Sequence, residues 1–103
     1  MKWREEIRLQ IPENQKSTIV SRLQNLLSQI QPVKGLMAIR LLENQRVNTE
    51  LSLVIEWSSL ATQNKSVLGE ELAQLARELG LSHHSTWKDV SVSAADAEKG
   101  DQL

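Results

Sequence analysis

Charged side chains that could bind a small anion recur at every second residue near the start of the chain. Arg4, Glu6 and Arg8 share one phase there, and a strand places such residues on one face. Guanidinium groups bind carboxylates and phosphates through paired hydrogen bonds. A solvated sheet with cross-strand ion pairs, each contributing ~0.2–1 kcal/mol, is the competing and more frequent use of such charges. The candidate ligand face predicted from this phase comprises Arg4, Glu6, Arg8, Arg40, Glu50, Glu56 and His84.

Acid–base and metal chemistry receive little support from the sequence. Glu50 and Glu56 would stand ~20 Å apart on one strand at ~3.3 Å per residue, so they do not form a carboxylate pair. His83 and His84 are adjacent, and a regular strand directs neighbours to opposite faces, so the two cannot share one metal ion. The chain has no cysteine, which removes thiolate nucleophiles and cysteine metal sites. We therefore predict no catalytic residue, no metal site and no cofactor, and either histidine could face the open side of the sheet.

Composition argues against nucleic acid and membranes as partners. The chain has 103 residues with 12 basic and 13 acidic side chains, so it carries no basic field. Its aromatic residues are three tryptophans, and Trp3 and Trp57 are in phase with apolar residues, not with the charged face that an RNA-stacking platform would use. No apolar run approaches the ~20 residues of a membrane span, and the charged N-terminus lacks the form of a signal peptide. We expect a cytoplasmic protein.

Hydrophobic periodicity predicts an alternation of strands and helices. Apolar residues recur at period two in the strands and along one face of each helix. In the last strand, a β-bulge at Lys88–Asp89 would bring Trp87, Val90 and Val92 onto one face. The predicted elements are, in chain order, strand 3–11, helix 14–30, strand 36–42, strand 51–57, helix 67–79 and strand 81–92.

This element order predicts an α+β fold of the ferredoxin-like type, a βαββαβ plait. Right-handed crossovers give a four-stranded antiparallel sheet in the order 4-1-3-2, with both helices on one face. We assign residues 1–92 to a single domain. Residues 93–103 are small, polar and acidic, and are predicted to form a disordered tail.

The stretch Leu53-Val54-Ile55-Glu56-Trp57-Ser58-Ser59, followed by a loop and a helix, resembles the third strand of the antibiotic-biosynthesis-monooxygenase-like family. Gly35 before the second strand is similar to the same layout. The resemblance covers residues 3–90 as topology, and it implies a ferredoxin-like fold that pairs sheet to sheet as a dimeric α/β barrel. Members often carry a histidine in the helix after that tryptophan, but residues 60–80 contain none, and the aromatic lining of a quinone or polyketide pocket is missing. The resemblance therefore implies the fold and a dimer, without the activity.

Two functions of different class follow from these patterns. The first is a non-catalytic homodimeric interaction module that pairs through the sheet face or through strand 36–42, where Leu36, Ala38 and Leu42 are predicted to lie away from the helices. The second is an enzyme or sensor of the dimeric-barrel type that binds a small anionic ligand on the sheet face. An open plane over the charged residues would favour the first function, and an enclosed cleft would favour the second.

Overall fold

Four antiparallel strands and two helices form the fold, as the periodicity predicts. The computed structural model describes residues 2–58 and 66–90. The sheet order is β2-β3-β1-β4, which is the predicted order 4-1-3-2. Within the described residues, no helix is long and apolar enough to cross a membrane. In chain order the elements are β1 (Trp3–Gln10), a short 3₁₀ turn (Glu13–Gln15), α1 (Lys16–Ser28), β2 (Leu36–Glu43), β3 (Glu50–Trp57), α2 (Val67–Leu79) and β4 (Leu81–Lys88).

The two central strands bury one side fully, and the other side is exposed or partly buried along β1 and largely partly buried along β3. Residues opposite each other in an antiparallel pair share a face, and Trp3 lies opposite Trp57 while Leu9 lies opposite Leu51. The apolar sets of β1 and β3 therefore meet on the same side of the sheet, where both helices cover them. The core on this side is built from Trp3, Ile7, Leu9, Leu51, Leu53, Ile55 and Trp57 of the sheet, Ile19 and Leu23 of α1, and Leu72, Ala73 and Ala76 of α2.

The two helices begin in different ways. At α2 the hydroxyl of Ser66 caps the helix by accepting a hydrogen bond from the N–H of Gly69 at 2.8 Å. The helix predicted from residue 14 begins instead at Lys16, after the 3₁₀ turn, and its N-terminus has no side-chain cap. The 3₁₀ turn connects the end of β1 to the start of α1.

A bulge near the start of β2 corrects one predicted orientation. Gly35 has a φ of 85°, and Leu36 then pairs with Trp57 while Ala38 pairs with Glu56. The extra residue between those pairs turns Leu36 toward the helices, where it packs against the core. The prediction that Leu36 lies away from the helices is therefore wrong, whereas it holds for Ala38 and Leu42, which lie opposite Glu56 and Ser52.

Strand β4 is shorter than predicted. It pairs with β1 in unbroken register from Leu81 to Lys88, and Trp87 lies opposite Arg4. Trp87 therefore lies on the side away from the helices, and it is 52% exposed. After the strand, the N–H of Asp89 donates to the carbonyl of Lys2 at 3.1 Å. Val92, the third member of the predicted bulged face, and the tail 93–103 lie outside the described residues.

Candidate functional site

Most of the predicted ligand face lies on the side of the sheet opposite the helices, which we call the open face. The strand registers place six of the seven predicted residues there, and His84 is the exception. The open face carries Arg4, Glu6, Arg8 and Gln10 from β1, Ala38, Arg40 and Leu42 from β2, Glu50, Ser52, Val54 and Glu56 from β3, and Leu81, His83, Ser85 and Trp87 from β4.

Two of the three arginines on the open face are engaged in ion pairs. Arg8 lies 3.2 Å from Glu6 and 3.8 Å from Glu50, measured between guanidinium nitrogen and carboxylate oxygen. Arg40 lies 3.3 Å from the carboxylate of Glu56. Both arginine side chains are more than half exposed, so solvent screens these pairs and each adds ~1 kcal/mol or less. The open face thus holds the cross-strand ion pairs of the competing interpretation.

The charged side chains of the open face cover an apolar and a polar group beneath them. Val54 lies between Glu6 and Arg40 on the neighbouring strands and is only 6% exposed. The hydroxyl of Ser52 is buried and has no hydrogen-bond partner among the described residues. Long charged side chains bury their aliphatic stems along apolar surface while their ends remain in water. The open face is therefore partly dehydrated at its centre.

His84 lies on the helix side of the sheet, so its assignment to the ligand face is wrong. It is opposite Ile7, while His83 is opposite Arg8 and takes the place on the open face. The His84 side chain is 8% exposed, and its Nε2 atom lies 3.0 Å from Oε1 of Glu5. The register of β4 against β1 decides which histidine faces the helices, and the sequence pattern alone does not define that register. His84 also contacts the buried carboxylate of Glu5, which needs hydrogen-bond donors.

Glu5 is the centre of a buried polar cluster under the N-terminus of α2. Its side chain is fully buried, and four groups of the described residues contact its carboxylate. Oε1 accepts from the N–H of Ser66 at 3.1 Å and contacts His84, while Oε2 accepts from the Ser66 hydroxyl at 2.7 Å and from the indole N–H of Trp57 at 2.8 Å. Buried charged groups require such partners, and a helix N-terminus further favours a carboxylate.

Gly69 provides the space that this carboxylate occupies. A Cβ atom at position 69 would lie 2.1 Å from Oε1 of Glu5, far inside contact distance. Glu5 is not among the candidate residues predicted from the sequence. The available signal was a carboxylate in phase with Trp3 and Ile7, because such a residue must find buried donors.

Trp57 connects this cluster to a cavity at the end of the sheet. Its ring stacks on that of Trp3, with centroids 5.6 Å apart and an angle of 14° between the planes. Beside them lies a cavity of about 600 Å³, which we call the tryptophan cavity. Its apolar lining consists of Trp3, Trp57, Trp87, Met37 and Val90. Its charged lining consists of Lys2, Arg4, Lys88, Glu56 and Asp89.

The tryptophan cavity changes one expectation. An aromatic-lined pocket was expected to be missing, yet all three tryptophans of the chain line this one. Their separation in sequence hides the group, and it forms because β1 pairs with β3 on one side and with β4 on the other. Arg4 and Glu56 are the two predicted face residues that reach the cavity.

Metal chemistry has no counterpart in the described part of the chain. Residues 2–58 and 66–90 contain no group of three or more His, Cys, Asp or Glu side chains arranged to hold a metal ion. Glu5 and His84 are the buried titratable pair, and their contacts with each other and with Ser66 and Trp57 bind the cluster together. The groups of this cluster form hydrogen bonds with one another inside the protein.

Comparison with known proteins supports the fold. No protein-family model matches the chain, and no curated protein matches it. Among solved structures, a Bordetella bronchiseptica protein described as a "putative antibiotic biosynthesis monooxygenase" is similar, with a TM-score of 0.55 and 13% sequence identity. The alignment covers 87% of this chain and 98% of that one. At this identity the likeness establishes a shared ferredoxin-like fold, in agreement with the resemblance read from the third strand.

Proposed function

We propose that this protein is a homodimeric interaction module in which the open face packs against the open face of a second copy. The observation that carries the proposal is the mixed character of this face. Leu42 and Trp87 are about half exposed at its two sides, at 49% and 52%, while the hydroxyl of Ser52 is already dehydrated at its centre. Exposed apolar side chains next to ion-paired charged residues are typical of protein–protein interfaces.

Charge balance favours a second copy as the partner. The open face carries three arginines, at positions 4, 8 and 40, and three glutamates, at positions 6, 50 and 56. Two identical faces with no net charge do not repel each other, and a twofold axis can bring the arginines of one copy to the glutamates of the other. A strongly basic or acidic partner would gain little from this pattern.

The open face is also large enough for a specific dimer. Four strands of eight residues, spaced ~4.8 Å apart with ~3.3 Å per residue, span a plane of about 500 Å². Burial of that area on both copies reaches the ~1,000 Å² that a specific interface requires. The family resemblance supports the same mode, since it implies pairing of sheet to sheet.

The buried chemistry supports a binding role without catalysis. Glu5 is fully enclosed, and His84 is 8% exposed with Nε2 directed to Glu5. A general base must reach a substrate proton within ~3 Å, directly or through one water. Glu5 and His84 instead contact protein atoms at that distance, which leaves no room for a substrate.

The molecular mass in solution tests the proposal. Wild-type protein should scatter light with twice the monomer mass of 11.6 kDa. Leu42→Asp should shift the mass to that of the monomer, because it places an unpaired carboxylate in the interface. The matched control is Val67→Asp, another exposed apolar residue but on α2, and it should leave the dimer intact. A wild-type monomer at high concentration would refute the proposal.

A small-ligand sensor or enzyme is the second candidate, and the tryptophan cavity is the observation that favours it. Arg8 and Arg40 are paired with glutamates, so the centre of the open face offers little to an anion. The ligand function would therefore be confined to the end of the sheet, where Arg4 lies beside Trp87.

A further inference from the structure

We propose that the tryptophan cavity is a binding site for a small planar aromatic carboxylate. Every group that the inference uses belongs to one chain, although Arg4, Glu56 and Trp87 also lie on the open face, which the proposed dimer would cover. The cavity volume of about 600 Å³ falls within the range of about 300–1,000 Å³ found for small-molecule sites. Trp87 is 52% exposed and supplies a ring on which a flat ligand can stack, whereas Trp3 and Trp57 are each 3% exposed and only border the cavity.

The aromatic walls are held in place before any ligand arrives. Glu5 fixes the indole of Trp57 at 2.8 Å, and Trp3 stacks on Trp57. The indole N–H of Trp87 donates to the hydroxyl of Ser85 at 2.9 Å, which restrains the third ring. A site whose side chains are already ordered loses less entropy on binding, so its contacts contribute more fully to affinity.

The charged lining selects an anion. Lys2, Arg4 and Lys88 contribute three positive charges against the two negative charges of Glu56 and Asp89. Glu56 forms an ion pair with Arg40 at 3.3 Å, so its charge neutralises Lys2, Arg4 and Lys88 less. Arg4, by contrast, makes no ion pair or hydrogen bond with any residue in the ranges 2–58 and 66–90. A guanidinium that has no such partner among the described residues and lies next to an aromatic ring fits a carboxylate attached to a ring.

Binding of 1-naphthoate by the full chain tests the proposal. Calorimetry should detect naphthoate, while acetate, which lacks the ring, and 1-naphthalenemethanol, which lacks the charge, should bind at least about tenfold more weakly. Arg4→Gln should weaken naphthoate binding by about tenfold or more. Arg8→Gln is the matched control, since it lies on the same strand and face but outside the cavity lining, and it should leave the affinity unchanged.

The indole N–H signals in a nitrogen–proton NMR spectrum locate the ligand. Naphthoate should shift the signal of Trp87 through its ring current, and more strongly than the signals of Trp3 and Trp57, which are each 3% exposed. Binding retained in Leu42→Asp supports a site within one chain. Absence of binding at millimolar naphthoate, equal losses in Arg4→Gln and Arg8→Gln, or loss of binding in Leu42→Asp would each overturn the proposal, the last by showing that a second copy completes or occupies the cavity.

Discussion

The carboxylate of Glu5 accepts a hydrogen bond from the indole N–H of Trp57 at 2.8 Å, in the interior of the protein. Neither group can be satisfied by water, because Glu5 is fully buried and Trp57 is 3% exposed. The bond joins the two central strands beneath the N-terminus of α2. It therefore couples the anchoring of that helix, through Ser66, to the position of a ring that lines the tryptophan cavity.

Glu5→Gln should destabilise the protein by about 3 kcal/mol. The variant keeps the shape of the side chain, but its NH₂ group faces hydrogen-bond donors where an oxygen accepted before. At least one donor of the cluster is then buried without an acceptor, and loss of a partner from a buried charged network is costly. Denaturant unfolding measures the effect. Glu6→Gln, the next residue but on the open face, is the control and should cost ~1 kcal/mol or less.

Gly69→Ala should destabilise the protein by about 1–3 kcal/mol, although alanine is the better helix former by about 1 kcal/mol. The new methyl group would lie 2.1 Å from Oε1 of Glu5 and would displace the carboxylate. A double-mutant cycle identifies the cause. Glu5→Asp shortens the side chain, so it should cost less in the Gly69→Ala protein than in wild type. Strictly additive free energies of unfolding would show that the clash is relieved elsewhere.

The alternation in β1 and β3 predicted the sheet order and the covered face because both strands bury one side fully. Arg4 and Arg8 were placed correctly for the same reason, since the phase of a half-buried strand defines both of its faces. Leu36 was misplaced because a bulge depends on local backbone geometry, here beside Gly35 with positive φ, and not on the apolar pattern.

The site was harder to predict than the fold because it depends on contacts between distant parts of the chain. The cluster joins Glu5 to Ser66 and His84, and β4 carries too few buried residues to define its own phase. The cavity likewise collects tryptophans from three strands at one end of the sheet. Register between strands decides such contacts, and register is a property of the folded sheet.

Replacement of the two adjacent histidines should have very different effects. His84→Ala should cost about 1–3 kcal/mol, because it removes one of the contacts of the Glu5 carboxylate and leaves space beside it. His83→Ala should change stability by about 0.5 kcal/mol or less, since its side chain lies on the open face. Both values are accessible from thermal or denaturant unfolding. Equal effects of the two variants would contradict the observed register of β4.

The arginines of the open face should contribute little to the stability of the single chain. Arg8→Gln removes its ion pairs with Glu6 and Glu50, and it should cost ~1 kcal/mol or less because the arginine is 58% exposed. Arg4→Gln should cost still less, since Arg4 has no ion pair with the described residues and lies near Lys2 and Lys88 in the cavity lining. Denaturant titration of both variants in the Leu42→Asp background separates folding from association. In the wild-type background, a loss of ~3–5 kcal/mol on replacing Arg8 would instead mean that its ion pairs are buried in the dimer interface, where removal of one partner leaves a buried charge unpaired.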